Sequence, residues 1–170
     1  KRPLILAGGG VNHSSAQEQL RKFAEQMNIP VITSLMGKSA IPENHPLCLG
    51  VNGTWGHYPA VEAARNADVI LALGCRFNDL HTATWQPGFA YNFPVTKLIQ
   101  VDIDAGEIAR NYPVDVGVVG DIRTVLTQLI DMAAAKNVQG DYKAWHQEIA
   151  GFRAEWSDFV TPFCQSDADP

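Results

Sequence analysis

Three consecutive glycines near the start of the chain are the first residues whose type and spacing suggest a chemical role. Gly8-Gly9-Gly10 follows the apolar run Leu4–Ala7 and precedes a segment with helical spacing. Glycines at such a junction let main-chain N–H groups approach a phosphate closely. A complete dinucleotide-binding fingerprint would need another glycine where this chain has His13, so a standard NAD site is disfavoured. The run therefore predicts either a nucleotide contact or a plain tight turn.

Arg76 comes shortly after another apolar run, Asp68–Leu73, from which Gly74-Cys75 separates it. A guanidinium group in this place can pair with a phosphate or stack on an adenine ring. The alternative is a structural salt bridge beneath the long loop that follows. The sequence leaves both interpretations open.

Carboxylates end a third apolar run at Val101-Asp102-Ile103-Asp104. An acidic residue in this place often accepts hydrogen bonds from ribose hydroxyls in dinucleotide-binding folds. Asp104 can equally cap a short helix that begins near Gly106. Gly120-Asp121 begins like a metal–diphosphate motif, but Ile122 follows and opens a helix, so Asp121 is predicted to cap that helix.

Zinc, thiol and serine-hydrolase chemistry find little support in the sequence. The histidines show no HxxxH or HExxH spacing, and none lies beside a cysteine as a ligand pair would. Cys75 has no identifiable base, so it is interpreted as a small buried residue rather than a nucleophile. The sequence also contains no GxSxG segment.

The pattern of apolar residues predicts an α/β scaffold that brings these segments together. Short runs rich in Val, Ile and Leu recur without strict alternation, which is typical of strands covered on both faces. Segments with helical spacing separate them, so the sequence predicts βαβ units and a mostly parallel sheet. The runs are Leu4–Ala7, Pro30–Thr33, Asp68–Leu73, Lys97–Val101 and Val114–Val119. Strand carboxyl ends form the ligand crevice of such a sheet, so the glycine run and the long connections 35–55 and 75–96 are expected to converge there.

Capping residues predict where helices begin. Ser14 or Ser15 is expected to cap the first helix, and Asp121 the helix from about Ile122 to Ala135. A final helix over about Tyr142–Phe159 carries an apolar stripe that is expected to pack on the sheet or against a neighbouring domain. The stripe consists of Trp145, Ile149, Phe152, Trp156 and Phe159.

Composition favours one ordinary globular domain. The chain has 170 residues, of which 46% are hydrophobic and 18% are charged, enough for one full core. With 18 acidic and 13 basic residues and no basic cluster, nucleic acid is not an expected partner. Three widely spaced cysteines favour a reducing cytoplasm, and no apolar run is long enough to cross a membrane. Because the chain begins in a strand without an initiator Met, we expect a piece of a longer protein, with a domain over 1–160 and a linker over 161–170.

One ordered set of segments is more specific than any single motif. It comprises Leu6–Gly10, Thr33–Ser39, Ile41–Pro46, Leu49-Gly50, Gly53, Ala67-Asp68, Leu73–Phe77, Gln100–Asp104 and Val119–Asp121. Together these segments resemble the central domain of thiamine-diphosphate-dependent enzymes of the acetolactate synthase (acetohydroxyacid synthase) type. The resemblance covers about residues 3–135. It implies a doubly wound, Rossmann-like α/β fold with a mostly parallel six-stranded sheet and helices on both faces.

The resemblance also implies a parent protein with three α/β domains, a carboligase or decarboxylase of 2-keto acids that forms a homodimer or homotetramer. In that family the N-terminal domain supplies the cofactor-activating glutamate, and the C-terminal domain binds the diphosphate through Mg²⁺. This sequence contains neither segment. We therefore expect the chain alone to be non-catalytic and to bind neither thiamine diphosphate nor Mg²⁺, with the N- and C-terminal domains as its partners.

Some members of the family hold FAD or ADP in the central domain, and the resemblance carries that site onto this chain. The matching positions are Gly8, Gly9, Gly10, Ser34, Leu35, Gly50, Gly74, Arg76, Asp102, Ile103 and Asp121. Two positions depart from the pattern: Asn52 replaces a histidine, and Leu80 replaces the second arginine after Arg76. The alternatives are a stand-alone adenine-nucleotide-binding or deacylase-like domain without thiamine chemistry, and a domain whose nucleotide site is vestigial.

Overall fold

Six short apolar segments form a single parallel sheet in the computed structural model, which describes residues 1–165. The strands are β1 (Pro3–Ala7), β2 (Val31–Thr33), β3 (Cys48–Val51), β4 (Val69–Leu73), β5 (Lys97–Asp102) and β6 (Val116–Val119). Their spatial order is β3-β2-β1-β4-β5-β6, and every neighbouring pair is parallel. The order reverses between β1 and β4, which confirms the predicted doubly wound α/β fold.

Helices surround this sheet. They are α1 (Gly9–His13), α2 (Gln17–Met27), α3 (Tyr58–Asn66), α4 (Asp79–Thr82), α5 (Ile122–Ala135) and α6 (Lys143–Cys164), with 3-10 turns at Leu35–Gly37 and Ala105–Glu107. Asp121 caps α5, since its carboxylate accepts the Thr124 N–H at 3.0 Å. Asp104 caps the second 3-10 turn by accepting the Gly106 N–H at 2.8 Å. Both predicted caps are confirmed.

The predicted capping of the first long helix by Ser14 or Ser15 is wrong. The glycine run already forms the short helix α1, and Ser14 follows the last residue of that helix. The Ser14 hydroxyl donates backwards to the Gly10 carbonyl at 2.8 Å. The residue that precedes α2 is Ala16, which provides no side-chain cap.

The sheet is covered on both faces, which explains the continuous apolar runs in its strands. In β1, Leu4 and Leu6 belong to the core beneath α3 and α6, whereas Ile5 and Ala7 belong to the core beneath α2 and α5. All four residues are at most 1% exposed. Trp145 of α6 closes the first layer, and its indole N–H donates to the Pro3 carbonyl at 2.9 Å.

Strand β3 was not predicted. Its residues fall within the segment 35–55, which the sequence assigned to one long connection. The strand has only four residues, and Gly50 within it has a φ of +93°, a conformation that side chains disfavour. An apolar run this short, interrupted by glycine, carries little periodic signal.

Helix α6 continues to Cys164, five residues beyond its predicted end. Part of the predicted linker over 161–170 is therefore helical, and residues 166–170 lie outside the described residues. The role of this segment as a linker stays a prediction. No helix in the described part of the chain is long and apolar enough to span a membrane.

Candidate functional site

The carboxyl ends of the strands enclose a cavity of about 670 Å³. Nine of the predicted site residues lie on its wall: Gly9, Gly10, Ser34, Leu35, Gly74, Arg76, Asp102, Ile103 and Asp121. They follow five different strands, as expected for a crevice at the reversal of strand order. The segments that the sequence singled out separately therefore share one site.

The floor of the cavity is the junction of β1 and β4, where main chain packs on main chain. Gly8 N–H donates to the Leu73 carbonyl at 2.8 Å, and Gly10 N–H donates to the Gly74 carbonyl at 3.1 Å. A Cβ on Gly10 would lie 2.7 Å from the Gly74 Cα, and Gly74 itself has a φ of +59°. Only glycine fits this approach. The neighbouring Gly9 N–H has no acceptor among the described residues and lies at the cavity wall.

Gly8 and Gly50 lie away from the cavity wall. A Cβ on Gly8 would overlap the Gly74 carbonyl, and one on Gly50 would overlap the imidazole of His57. Both glycines therefore shape the crevice from behind. Their assignment as cofactor contacts stays a prediction.

Arg76 is the arginine on the wall of the cavity. Its side chain is exposed, and within residues 1–165 it makes no ion pair or hydrogen bond. The main-chain carbonyl of Arg76 accepts a hydrogen bond from the Asn111 amide at 2.8 Å, which fixes the backbone while the guanidinium stays free. The structural salt bridge considered from the sequence is thus not found in the described part of the chain.

Carboxylates lie on the β5–β6 side of the crevice. Asp102 is 8% exposed, and its Oδ1 accepts the Asp104 N–H at 3.1 Å. Asp121 lies on the same wall but uses its carboxylate to cap α5. Ile103, which is 72% exposed, contributes apolar surface between them. This end of the cavity has the acceptors that a ribose would use.

The β2–β3 side of the cavity is mostly apolar. Leu35, Met36 and Trp55 are 57%, 67% and 66% exposed and present side chains that the domain leaves uncovered. Ser34 is used locally, because its hydroxyl accepts the Gly37 N–H at 3.0 Å. Asn52 is 2% exposed, and its amide has no hydrogen-bond partner within the described residues.

A buried neutral network lies behind the loop that follows β4. Cys75 Sγ is 3.8 Å from His81 Nδ1, and the Tyr91 hydroxyl is 3.0 Å from His81 Nε2. Burial raises the pKa of the Cys75 thiol to about 12 and lowers the pKa of His81 to about 4. Both groups are therefore neutral near pH 7, which agrees with the interpretation of Cys75 as a small buried residue.

Several wall residues were missed by the sequence reasoning. His13 occupies the position of the third fingerprint glycine and lies one helical turn beyond Gly9. His81 reaches Cys75 because α4 begins directly after the cavity loop, with Asn78 as its cap. The short separation of Cys75 and His81 in the sequence was the available signal. It indicates a contact only once residues 79–82 are known to be helical.

Comparison with known proteins shows the family of this chain. The family described as "Thiamine pyrophosphate enzyme, central domain" matches residues 1–129. The chain belongs to this family. The match covers all six strands, including the segments that carry the cavity wall.

Curated relatives agree with this assignment. A probable acetolactate synthase large subunit of Methanococcus aeolicus is 49% identical over 130 residues, 76% of this chain and 21% of that protein. A protein of the same description from Methanocaldococcus jannaschii is 43% identical over 149 residues, 88% of this chain and 24% of that protein. An acetolactate synthase of Mycobacterium leprae is 38% identical over 169 residues, 98% of this chain and 26% of that protein.

The chain thus spans about a quarter of the length of the curated relatives it matches. Further domains of the same polypeptide are therefore expected. The resemblance drawn from the sequence is confirmed, and the stand-alone nucleotide-binding or deacylase-like alternative is not favoured.

Proposed function

We propose that this chain is the cofactor-holding central domain of a thiamine-diphosphate-dependent enzyme that acts on 2-keto acids, with a reaction most like that of acetolactate synthase. The observation that carries the proposal is the family match over the whole sheet, together with the unpaired Arg76 on the wall of the cavity where the strand order reverses. The curated relatives named as acetolactate synthases support the choice of reaction.

Thiamine diphosphate and Mg²⁺ belong to other domains of the proposed parent. Thiamine diphosphate supplies carbanion stabilisation when it is bound. The described residues of this chain offer no group of three or more His, Cys, Asp or Glu side chains that could hold a metal ion. No step of the thiamine reaction is therefore assigned to this chain.

An adenine nucleotide, FAD or ADP, is the ligand that suits the cavity. Its volume of about 670 Å³ lies within the range of about 300–1,000 Å³ typical of small-molecule sites. Asp102 would accept hydrogen bonds from the ribose hydroxyls. The Gly9 N–H and the Arg76 guanidinium would bind the phosphates. The apolar side chains of Leu35 and Trp55 would pack on a ring of the nucleotide. Each of these groups lies on the wall.

The extent of the crevice favours an elongated nucleotide. Asn52 follows β3 and Asp102 ends β5, and these strands are separated by four strand spacings. At about 4.8 Å for each spacing, the distance is about 19 Å. This length supports FAD over ADP as the ligand that uses the whole wall.

The replacement of the second arginine by Leu80 predicts weaker phosphate binding than in the family members that carry both arginines. Leu80 occupies the position of the second arginine, is 59% exposed and lines the cavity. Loss of one charge-assisted hydrogen bond costs about 1–3 kcal/mol of binding free energy. The remaining phosphate charge would then be met by Arg76 alone on this loop.

Binding of ADP, FAD and NAD to the chain tests the proposal, with calorimetry on wild type and Arg76→Ala. We expect Arg76→Ala to weaken ADP and FAD binding tenfold or more, about 1.5–3 kcal/mol. Arg123→Ala removes another exposed arginine, on α5 and outside the cavity wall, and should leave binding unchanged. No saturable heat from ADP or FAD would indicate a vestigial site, and an NAD-only response would favour the deacylase-like alternative.

For the parent protein we propose a homodimer or homotetramer in a reducing cytoplasm. The oligomeric state follows from the family resemblance. The location is supported by the cysteines, because Cys48, Cys75 and Cys164 are all free. Sedimentation of the full-length protein measures the first, and fractionation of cells that express it measures the second.

A further inference from the structure

The second half of α6 carries an apolar stripe that the domain does not cover. Aromatic and apolar residues follow one another along the helix at alternating spacings of four and three, a pattern typical of a helix that packs along its whole length. The residues are Trp145, Ile149, Phe152, Trp156, Phe159 and Phe163. Trp145 and Ile149 are 1% and 4% exposed, but Trp156, Phe159 and Phe163 are 39%, 62% and 70% exposed.

The hydrogen bonds and aromatic contacts that the structure describes between α6 and the rest of the domain end at Trp156. The Arg153 guanidinium donates to the Cys48 carbonyl at 2.8 Å, and the Tyr58 hydroxyl donates to Glu155 Oε2 at 2.6 Å. Tyr58 also stacks on Trp156, with ring centroids 6.2 Å apart. These contacts anchor the middle of the helix on β3 and α3.

Residues 157–164 form what we call the free end of α6. Every hydrogen bond and aromatic contact that the structure describes for these residues remains within the helix. Phe159 lies 5.7 Å from Trp156 and 5.5 Å from Phe163, measured between ring centroids. The only charged residue in this segment is Asp158. The free end is therefore an apolar surface with almost no charge to select a charged partner.

A second copy of this chain is a poor occupant for this surface. If an aromatic side chain offers about 200 Å², the three exposed rings present about 350 Å². Two such surfaces would bury about 700 Å² in a dimer, well below the roughly 1,200–2,000 Å² of stable complexes. A domain on the same polypeptide needs less area, because its effective concentration is high and domain interfaces begin near about 600 Å².

The curated relatives contain both the helix and the additional polypeptide that could cover it. The match with the Mycobacterium leprae protein extends over 169 residues of this chain, so the α6 segment has a counterpart there. The same match covers 26% of that protein, which leaves room for further domains. Elements that are consecutive in sequence usually lie next to each other in space.

We propose that the free end of α6 is the docking surface for the domain that follows this helix in the parent protein, with Phe159 and Phe163 received by an apolar groove of that domain. The inference rests on the proposed function, which gives the parent its further domains. The first half of α6 would then close the core of this domain, and the second half would bind the next domain.

Hydrogen exchange of residues 156–164, measured in this chain alone and in the full-length parent, tests the proposal. The amides should exchange at least tenfold more slowly in the parent. A Phe159→Gln/Phe163→Gln variant of the parent should return to the rates of the isolated chain, since glutamine keeps helix propensity and removes the apolar contact. Met132→Gln on α5, where Met132 is 52% exposed, is the control and should change nothing.

Other outcomes would overturn the inference. Equal exchange in both proteins would mean that nothing covers the free end. Protection of the isolated chain that increases with its concentration would identify a second copy as the occupant, and protection that survives removal of the following domain would identify the preceding one. A parent that protects the helix but does not convert 2-keto acids would refute the proposed function and leave this inference standing.

Discussion

At the junction of β1 and β4, main chain packs on main chain at the cavity wall. Behind the loop that follows β4, side chains pack on side chains instead. Gly10 and Gly74 leave no space for a Cβ. Cys75, His81 and Tyr91 instead form a network whose neutral state depends on burial. The first region is therefore intolerant of substitution at any pH. The second responds to acid, because the burial of His81 opposes its protonation.

The largest expected effect is at the glycine junction. Gly10→Ala places a Cβ 2.7 Å from the Gly74 Cα, so α1 must move away from the turn at Gly74 or that turn must change its conformation. We expect a loss of about 3 kcal/mol or more in the free energy of unfolding, measured with urea. Gly151→Ala in α6, where nothing lies within 4 Å, should instead stabilise the protein by about 0.5–1 kcal/mol. Equal effects of the two changes would contradict the role of close packing.

The buried histidine provides the next largest effect. Because the pKa of His81 is lowered from 6.5 to about 4, the unfolded chain binds this proton first as the pH falls. The contribution of neutral His81 to the free energy of unfolding is complete above pH 6.5 and is lost as the pH falls toward 4. Between pH 7.5 and 4.5, wild type should lose about 2–3 kcal/mol more stability than His81→Gln. The exposed His13→Gln is the control, and a wild-type loss matched by His81→Gln would sink the prediction.

Substitution of Arg76 should weaken nucleotide binding without a matching loss of stability. Its guanidinium forms no hydrogen bond or ion pair in the described part of the chain, so Arg76→Ala should change the free energy of unfolding by less than about 0.5 kcal/mol. The same variant should lose about 1.5 kcal/mol or more of nucleotide binding. Urea unfolding beside calorimetry measures both. A stability loss as large as the binding loss would show that Arg76 is structural.

The smallest expected effect is at the α5 cap. Asp121→Ala removes the acceptor for the Thr124 N–H and should cost about 1 kcal/mol of stability. Asp121→Asn keeps the cap and should cost much less. If Asp121 also contacts the cofactor through its charge, both variants should weaken FAD binding equally. Unchanged FAD binding in both would restrict Asp121 to capping.

The fold was largely predictable, because continuous apolar runs such as Leu4–Ala7 reflect strands buried on two faces. Caps were predictable where an aspartate directly precedes a helix, as at Asp121. β3 was not, since four residues around Gly50 give no periodic signal. The network around His81 was not either, because Tyr91 reaches it from another part of the loop. Sequence patterns gave the segments of the site, but these long-range contacts depend on tertiary packing.

Parallel calorimetric titrations of the chain with thiamine diphosphate plus Mg²⁺ and with FAD test whether this domain binds a nucleotide rather than the thiamine cofactor. We expect saturable heat with FAD and none with thiamine diphosphate plus Mg²⁺, because the cavity holds a free arginine and a free main-chain N–H, while the described residues contain no metal-binding cluster. A micromolar dissociation constant for thiamine diphosphate plus Mg²⁺, without binding of FAD or ADP, would contradict the proposed function of this domain.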